Sequence, residues 1–292
     1  HHKMFKKKKD QTYQSYWSIS WNIFKKNKVA MVCLFIVILL CLIALFAPLI
    51  APYDPNKQVL TDRLMKPCGQ HWFGTDDLGR DIFSRIIYGC RVSLSVGIIS
   101  QIIATVIGYT MGVCAGYYGG KVDSVISFLI QVFSSFPFLL FAMAIMFVLG
   151  PGLINLYLAL GLLGWASTAR LIRGDVMRLK KMEYIDACKV SGGNSFRIIM
   201  KHLLPNCLST LIVTVTLGIP NAIMSEASLS FLGLGVKAPM ASWGSMISFS
   251  QPYIRSATYY SVIPGLAIII TVLAFNMLGD GLRDALDPKL RS

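Results

Sequence analysis

The chain has 292 residues, of which 54% are hydrophobic and only 14% are charged, and its mean hydropathy is +0.59. Soluble domains carry roughly a quarter charged residues, so the composition excludes a water-soluble enzyme or a disordered tail. The net charge of +14 would indicate nucleic-acid binding in a soluble protein. Here, however, long uncharged stretches alternate with basic ones, which is typical of a polytopic membrane protein without nucleic-acid contacts.

Uncharged windows of about 20 residues, the length needed to cross a bilayer, predict six transmembrane helices. The first window is too long for a signal-peptide core and lacks a cleavage site, so it is interpreted as a retained helix. The windows are 29–53, 92–120, the two parts of 124–169 on either side of Gly150-Pro151-Gly152, about 205–234 and about 260–278. This division leaves an extracytoplasmic loop over 54–91, a five-helix core over 92–279 with a long loop at 170–206, and a tail over 280–292.

The basic residues predict the orientation. Of the 28 Lys and Arg residues, 20 lie in residues 1–28, 118–123, 170–206 and the tail, and eight lie in the alternate loops. Cytoplasmic segments hold the excess of Lys and Arg, so both termini, including the Lys-rich segment 1–28, are predicted to be cytoplasmic. The leading His1-His2 resembles the remnant of an expression tag and is set aside.

The loop before the fifth span has the pattern of two short helices separated by a turn. Apolar residues lead into Gly192-Gly193, which is expected to end a helix because glycine adopts left-handed backbone angles at little cost. The apolar positions are Ile185, Cys188 and Val190 before the glycines, and Phe196, Ile199, Met200 and Leu203 before Pro205. Two interpretations remain open: a rigid element gripped by another protein, or an amphipathic helix lying on anionic lipid.

The same loop resembles the EAA motif of ABC importer permeases. That motif has a Glu-Ala-Ala opening, a glycine four residues on and a Leu-Pro further along. Asp186, Ala187 and Cys188 match the opening, Gly192 matches the glycine, and Leu204-Pro205 match the Leu-Pro. Asp for Glu, Cys for the second Ala, and His202 in place of a common Ile are departures. The resemblance implies a coupling helix that docks into an ATP-binding subunit, formed by Tyr184, Asp186, Ala187, Cys188, Gly192, Gly193, Leu204 and Pro205.

Segments throughout 29–288 resemble the C-type permeases of the dipeptide/oligopeptide/nickel family. The segments are His71-Trp72-Phe73-Gly74-Thr75-Asp76 with Leu78-Gly79-Arg80-Asp81 and Ser84-Arg85, Leu149-Gly150-Pro151-Gly152 with Asn155, Ala169-Arg170-Leu171-Ile172-Arg173-Gly174, Glu226-Ala227-Ser228-Leu229-Ser230-Phe231-Leu232-Gly233-Leu234-Gly235, Ser242-Trp243-Gly244, and Asn276-Met277-Leu278-Gly279-Asp280-Gly281-Leu282-Arg283-Asp284.

This resemblance implies an all-α, type I ABC importer permease in the bacterial cytoplasmic membrane that moves di- and oligopeptides inward by alternating access. It implies a second, related permease, two ATP-binding subunits and an extracytoplasmic solute-binding protein as partners. Gly119-Gly120-Lys121-Val122 lacks the spacing and the hydroxyl of a phosphate loop. We therefore expect no catalytic residue and no cofactor in this chain, with ATP and Mg²⁺ bound by the partner ATPases.

Two alternatives remain. The same architecture could import nickel or a metal–metallophore complex. An ATP-independent transporter or channel would instead show internal symmetry or charges along a path; the sequence has one such charge, Glu226, and no repeat between its halves.

Several single residues have two interpretations. Glu226, the carboxylate at membrane depth, either lies on the translocation path or has a packing or capping role at the end of span five. Gly108, Gly112 and Gly116 are spaced four apart, which predicts close packing against a neighbouring span or a sister permease. Trp243 is placed in an external loop.

The seven cysteines lack the spacing of a metal site. Cys68 and Cys90 fall in one predicted loop and could pair, although the spacing does not require it. His71 and His202 are predicted on opposite sides of the membrane, so we expect no metal site from this pair.

Overall fold

A computed structural model describes residues 16–287, and over that range the protein is built from α-helices without a β-strand. The predicted all-α class is therefore confirmed. In chain order the helices are α1 (Tyr16–Phe24), α2 (Lys28–Leu45), α3 (Ala47–Ile50), α4 (Ile82–Tyr118), α5 (Gly120–Ser135), α6 (Phe138–Leu149), α7 (Leu153–Leu179), α8 (Glu183–Val190), α9 (Ser195–Ile198), α10 (Leu204–Phe231), α11 (Trp243–Ser250) and α12 (Thr258–Leu286). Short 3-10 turns lie at Leu60–Asp62 and Gln251–Tyr253, and one π-helical turn at Ile199–Leu203 joins α9 to α10.

Within the described range, four helical runs are long and apolar enough to cross a bilayer: α2, α4, the run from α9 through α10, and α12. The bent pair α5–α6 makes a fifth if it is one span. The protein is thus a polytopic membrane protein, whereas the number of six spans stays a prediction.

The segment 124–149 differs from the single helix that the sequence predicts, because α5 and α6 meet at an angle of 90°. Phe136 is extended, with φ −91° and ψ 139°, and Pro137 follows it. Proline excludes the preceding residue from the helical region and removes an N–H donor, so the helix ends there.

Helix α4 begins ten residues before the predicted start of span two. The carboxylate of Asp81 accepts the Ser84 backbone N–H at 2.8 Å and caps the helix. With 37 residues, α4 is about 55 Å long. The last part of the predicted loop 54–91 is therefore helix.

Helices α4 and α7 pack closely through small residues. The three glycines that are spaced four apart on α4 face α7. A Cβ atom added to any of them would lie only 2.6–2.9 Å from an atom of α7. The contacts are Gly108 with Thr168, Gly112 with Ala169 and Gly116 with Arg173. Real side chains do not approach so closely, so the glycines allow the two backbones to touch. The pairs increase in residue number together, which means that α4 and α7 run parallel.

This parallel packing determines the direction of α5–α6. The Ser95 and Tyr157 hydroxyls lie 2.8 Å apart towards one end of α4 and α7, and Arg173 binds Asp123 near the other end. The chain leaves α4 at Tyr118 and enters α7 at Leu153, so α5–α6 carries it back along the length of the bundle.

The segment before α4 folds over one end of the bundle through buried charges. Asp76 binds Arg80 at 2.6 Å, and the Arg85 guanidinium donates to the Pro55 carbonyl at 2.9 Å. The Tyr260 hydroxyl at the start of α12 donates to Asp77 at 3.1 Å. This segment therefore joins the beginnings of α4 and α12.

The cysteine and histidine pairs are not brought together. Cys68 is exposed and free, while Cys90 is buried within α4 and is also free. His71 contacts Asp81 at 2.8 Å at the start of α4. His202 lies in the π-helical turn, beside the segment that contacts the other end of α4.

Candidate functional site

The α8 loop, residues 180–203 between α7 and α10, has a sharply defined turn. The Gly192 N–H donates to the Lys189 carbonyl at 3.0 Å, and the Gly193 N–H donates to the Cys188 carbonyl at 2.9 Å. Gly192 has φ +82°. This pair of bonds is the Schellman motif, which ends a helix at a left-handed glycine. The sequence prediction that the two glycines end a short helix is confirmed.

Buried side chains anchor both arms of the α8 loop. Ile185 from α8, Ile198 from α9 and Leu203 from the π-helical turn are at most 1% exposed. They pack with Val176 and Ile172 of α7 in one apolar cluster. The loop is thus held rigidly against the end of the bundle.

Polar contacts fix the same loop to the end of α4. The Tyr117 hydroxyl donates to the Ser195 hydroxyl at 3.3 Å, and Lys180 binds the Tyr117 carbonyl at 2.5 Å. The Asn194 side chain accepts the Arg197 backbone N–H at 2.8 Å and caps α9. The position of the loop is therefore defined by α4 as well as by α7.

The opposite side of the α8 loop presents apolar groups to the outside. Val190 is 89% exposed and Phe196 is 72% exposed. We use the name α8 ridge for five exposed residues of this loop, which are Tyr184, Ala187, Val190, Gly192 and Phe196. Exposed apolar groups on a rigid support are typical of a protein interface.

The sequence analysis did not single out Val190 and Phe196 as site residues. A signal was present for Val190, because it follows Ile185 by five positions, or about 140° around the helix. When Ile185 faces the core, Val190 cannot share that face.

The other residues of the EAA-like segment are distributed around the turn. Asp186 is exposed and pairs with Lys189 at 2.7 Å. Cys188 is half-buried, and a Cβ atom at Gly193 would lie 2.7 Å from its sulfur. Leu204 is half-buried in the first turn of α10, and Pro205 beside it is exposed.

A cavity of about 1400 Å³ lies beside the α8 loop. Pro205, Asn206 and Arg178 line its end nearest the loop. Further along, the cavity is lined by polar residues near the middle of α4 and in the second half of α10, which are Ser100, Gln101, Asn221 and Ser225. Trp17, Arg283 and Asp287, close to the described ends of the chain, also contribute to its wall.

Glu226 lies in a serine cluster that joins three helices. Its carboxylate accepts hydrogen bonds from Ser230 at 2.6 Å, Ser242 at 2.7 Å and Ser93 at 3.4 Å. The residue is fully buried and is not among those lining the cavity. In this conformation its contacts are structural and connect α10 to α4 and to the start of α11.

Trp243 lies in the core rather than in an exposed external loop. It is 1% exposed, and its indole N–H donates to the Ile86 carbonyl at 3.1 Å. The Ser242 hydroxyl caps α11 and turns this helix back onto α4 and α10.

Comparison with known proteins identifies the class. Residues 105–292 match the family described as binding-protein-dependent transport system inner membrane component, and residues 15–67 match the N-terminal transmembrane domain of oligopeptide transport permease C. The chain belongs to the family of binding-protein-dependent transport system inner membrane components, whose members are permease subunits of ABC transporters.

The chain is similar to full-length relatives over nearly all of its length. It is 46% identical to the dipeptide transport system permease protein DppC of Bacillus subtilis, covering 95% of this chain and 87% of that protein. It is 42% identical to the oligopeptide transport system permease protein OppC of Bacillus subtilis, covering 95% and 91%. It is 41% identical to the glutathione transport system permease protein GsiD of Pectobacterium atrosepticum, covering 97% and 95%.

Solved structures show the same fold. An inward-facing structure of the MetNI methionine ABC transporter matches with a TM-score of 0.57 and 19% identity, covering 70% of this chain and 98% of that chain. A structure described as an amino acid ABC transporter with histidines matches with a TM-score of 0.53 and 15% identity, covering 69% and 94%. The expected type I importer permease fold is thereby confirmed.

Proposed function

We propose that this chain is the permease subunit of an ATP-driven importer of di- and oligopeptides in the bacterial cytoplasmic membrane. It pairs with a second, related permease, docks two ATP-binding subunits on the cytoplasmic side and receives cargo from an extracytoplasmic solute-binding protein. ATP and Mg²⁺ are bound by the ATP-binding subunits. Both termini of this chain are cytoplasmic.

The observation that carries this proposal is the α8 ridge. Val190 and Phe196 project from helices whose other faces are anchored by Ile185 and Ile198. A rigid apolar ridge transmits displacement of a docked subunit directly to α7 and α10. Pro205, which follows the loop directly in α10, also lines the cavity. A displacement of the ridge would therefore also move part of the cavity wall.

The topology supports six spans with both termini on the α8 side. The parallel packing of α4 and α7 requires α5–α6 to return between them, and α7, with 27 residues, is about 40 Å long. That length exceeds the roughly 30 Å hydrocarbon core. If α5–α6 and α7 each count as one span, the chain crosses the membrane six times. An even number of crossings leaves the described N- and C-terminal residues on the same side.

The peptide cargo is supported by the relatives, two of which are named as dipeptide and oligopeptide permeases. The complete transporter, reconstituted in vesicles, is expected to accumulate a labelled dipeptide or oligopeptide when ATP and the binding protein are supplied. Nickel uptake without peptide uptake would contradict the peptide proposal and leave the permease architecture intact.

Docking on a protein can be distinguished from resting on lipid by placing opposite charges at one site. Val190→Arg and Val190→Asp should both release the ATP-binding subunits and abolish uptake, because either charge would be buried in an apolar contact. If the loop instead rests on anionic lipid, the loop of Val190→Arg would bind the lipid surface at least as well as the wild-type loop. Only Val190→Asp would then lose the contact. Retention of uptake in the Arg variant would contradict docking; Lys189→Arg, which preserves charge beside the ridge, is the control.

A further inference from the structure

We propose that Gln101 and Asn221 form an amide-binding subsite in the cavity wall that accepts backbone N–H groups of a peptide in transit. This inference rests on the proposed peptide import and adds a contact site within this chain. It starts from two carboxamides on different helices, Gln101 on α4 and Asn221 on α10, that line the same cavity.

Gln101 is a polar side chain in the middle of a membrane-spanning helix. It is 9% exposed, and its amide nitrogen donates to Thr105 one turn away at 3.4 Å. Among residues 16–287 the carboxamide has this one hydrogen bond, and its Oε1 atom, on a residue that lines the cavity, accepts none. An amide oxygen is an acceptor with two lone pairs, so a donor that enters the cavity adds a hydrogen bond that the chain itself does not supply.

The fold makes space for this carboxamide. A Cβ atom at Gly218 would lie 2.2 Å from Cδ and Oε1 of Gln101. Gly218 therefore lets the side chain lie between α4 and α10 at the cavity wall. An alanine here would push the carboxamide out of its position.

Neighbouring groups extend the polar patch. Asn221, one turn beyond Gly218, is exposed and donates from its side chain to the Leu217 carbonyl at 3.2 Å. Ser100, next to Gln101, is 2% exposed and its hydroxyl has no partner among the described residues. The patch thus combines two carboxamides with a buried hydroxyl that lacks a hydrogen bond.

The chemistry of the patch fits a peptide backbone. Amide oxygens are neutral acceptors that take N–H donors, and they do so irrespective of the side chains of the peptide. Because a neutral hydrogen bond contributes about 0.5–1.5 kcal/mol, its loss changes occupancy roughly two- to tenfold. Such a weak contact allows cargo to leave again towards the cytoplasm.

The test uses the complete transporter reconstituted in vesicles. A labelled tripeptide, or the same tripeptide methylated at its backbone amide nitrogens, is supplied on the binding-protein side. Initial uptake is measured per ATP hydrolysed, with saturating binding protein. Gln101→Leu is expected to lower uptake of the plain tripeptide roughly two- to tenfold and to affect the methylated tripeptide much less. Asn221→Leu should act in the same direction.

Gln131→Leu is the matched control, because it makes the same chemical change at an exposed α5 residue that does not line the cavity. It should leave uptake of both tripeptides at wild-type rates. Two results would overturn the subsite. In the first, Gln101→Leu imports each tripeptide at the wild-type rate. In the second, Gln101→Leu loses uptake of the two tripeptides by the same factor. Failure of the wild-type transporter to import the plain tripeptide would instead overturn the proposed function.

Discussion

The carboxylate of Glu226 accepts a hydrogen bond from the Ser242 hydroxyl at 2.7 Å, and the same hydroxyl caps α11 by accepting the Ser245 backbone N–H at 3.1 Å. One serine therefore joins the end of α10 to the beginning of α11. With Ser93 and Ser230 also donating to Glu226, the carboxylate is the common acceptor for three helices.

This arrangement predicts that Glu226→Leu destabilises the protein and Glu226→Gln does not. Leucine leaves three hydroxyls without their acceptor, and a buried unpaired donor costs about 1–3 kcal/mol. Glutamine retains an acceptor oxygen. Thermal unfolding of the purified transporter in detergent should show a lower midpoint for Glu226→Leu alone; equal destabilisation by both variants would mean that hydrogen bonding does not explain the role of Glu226.

The α4–α7 contact predicts different effects for two glycine-to-alanine substitutions. Gly112→Ala should reduce thermal stability, because the new methyl group would lie 2.7 Å from the Ala169 carbonyl oxygen. Gly174→Ala, also in a helix but with no atom within 4 Å of the new Cβ, should be neutral or stabilise by up to about 1 kcal/mol. Equal stability of the two variants would show that α4 and α7 do not pack this tightly.

The proposed orientation predicts which cysteines react with a membrane-impermeant maleimide in intact cells. Native Cys68 is exposed and should be labelled from outside. In a Cys68→Ser background, Lys237→Cys should restore labelling and Lys181→Cys should remain unlabelled until the cells are permeabilised. Both engineered positions are exposed, so a reversed pattern would place the α8 loop outside the cell.

Local chemistry accounts for the parts of the site that the sequence predicts well. The turn at Gly192-Gly193 and the helices beside it depend on neighbouring residues, so pattern and motif place them correctly. The break at Pro137 also had a local signal, but the long uncharged stretch around it favoured one continuous span.

Other features depend on distant contacts. Ser230 follows Glu226 by four positions and could have been paired with it from helical spacing. Ser93 and Ser242 reach the same carboxylate from other helices, and the burial of Trp243 depends on α11 folding back onto the bundle. The contact between Gln101 and Gly218 likewise depends on the packing of α4 against α10, which local sequence does not show.

The central claim, that the α8 ridge contacts the ATP-binding subunits, is tested most directly by photo-crosslinking in the assembled transporter. Benzoylphenylalanine replaces Phe196, which is 72% exposed on the ridge, and in a matched control replaces Phe128, which is 63% exposed on α5. We expect a covalent product between this chain and an ATP-binding subunit from position 196 and none from position 128. An intact, transporting complex that gives no such product from position 196 would contradict the account.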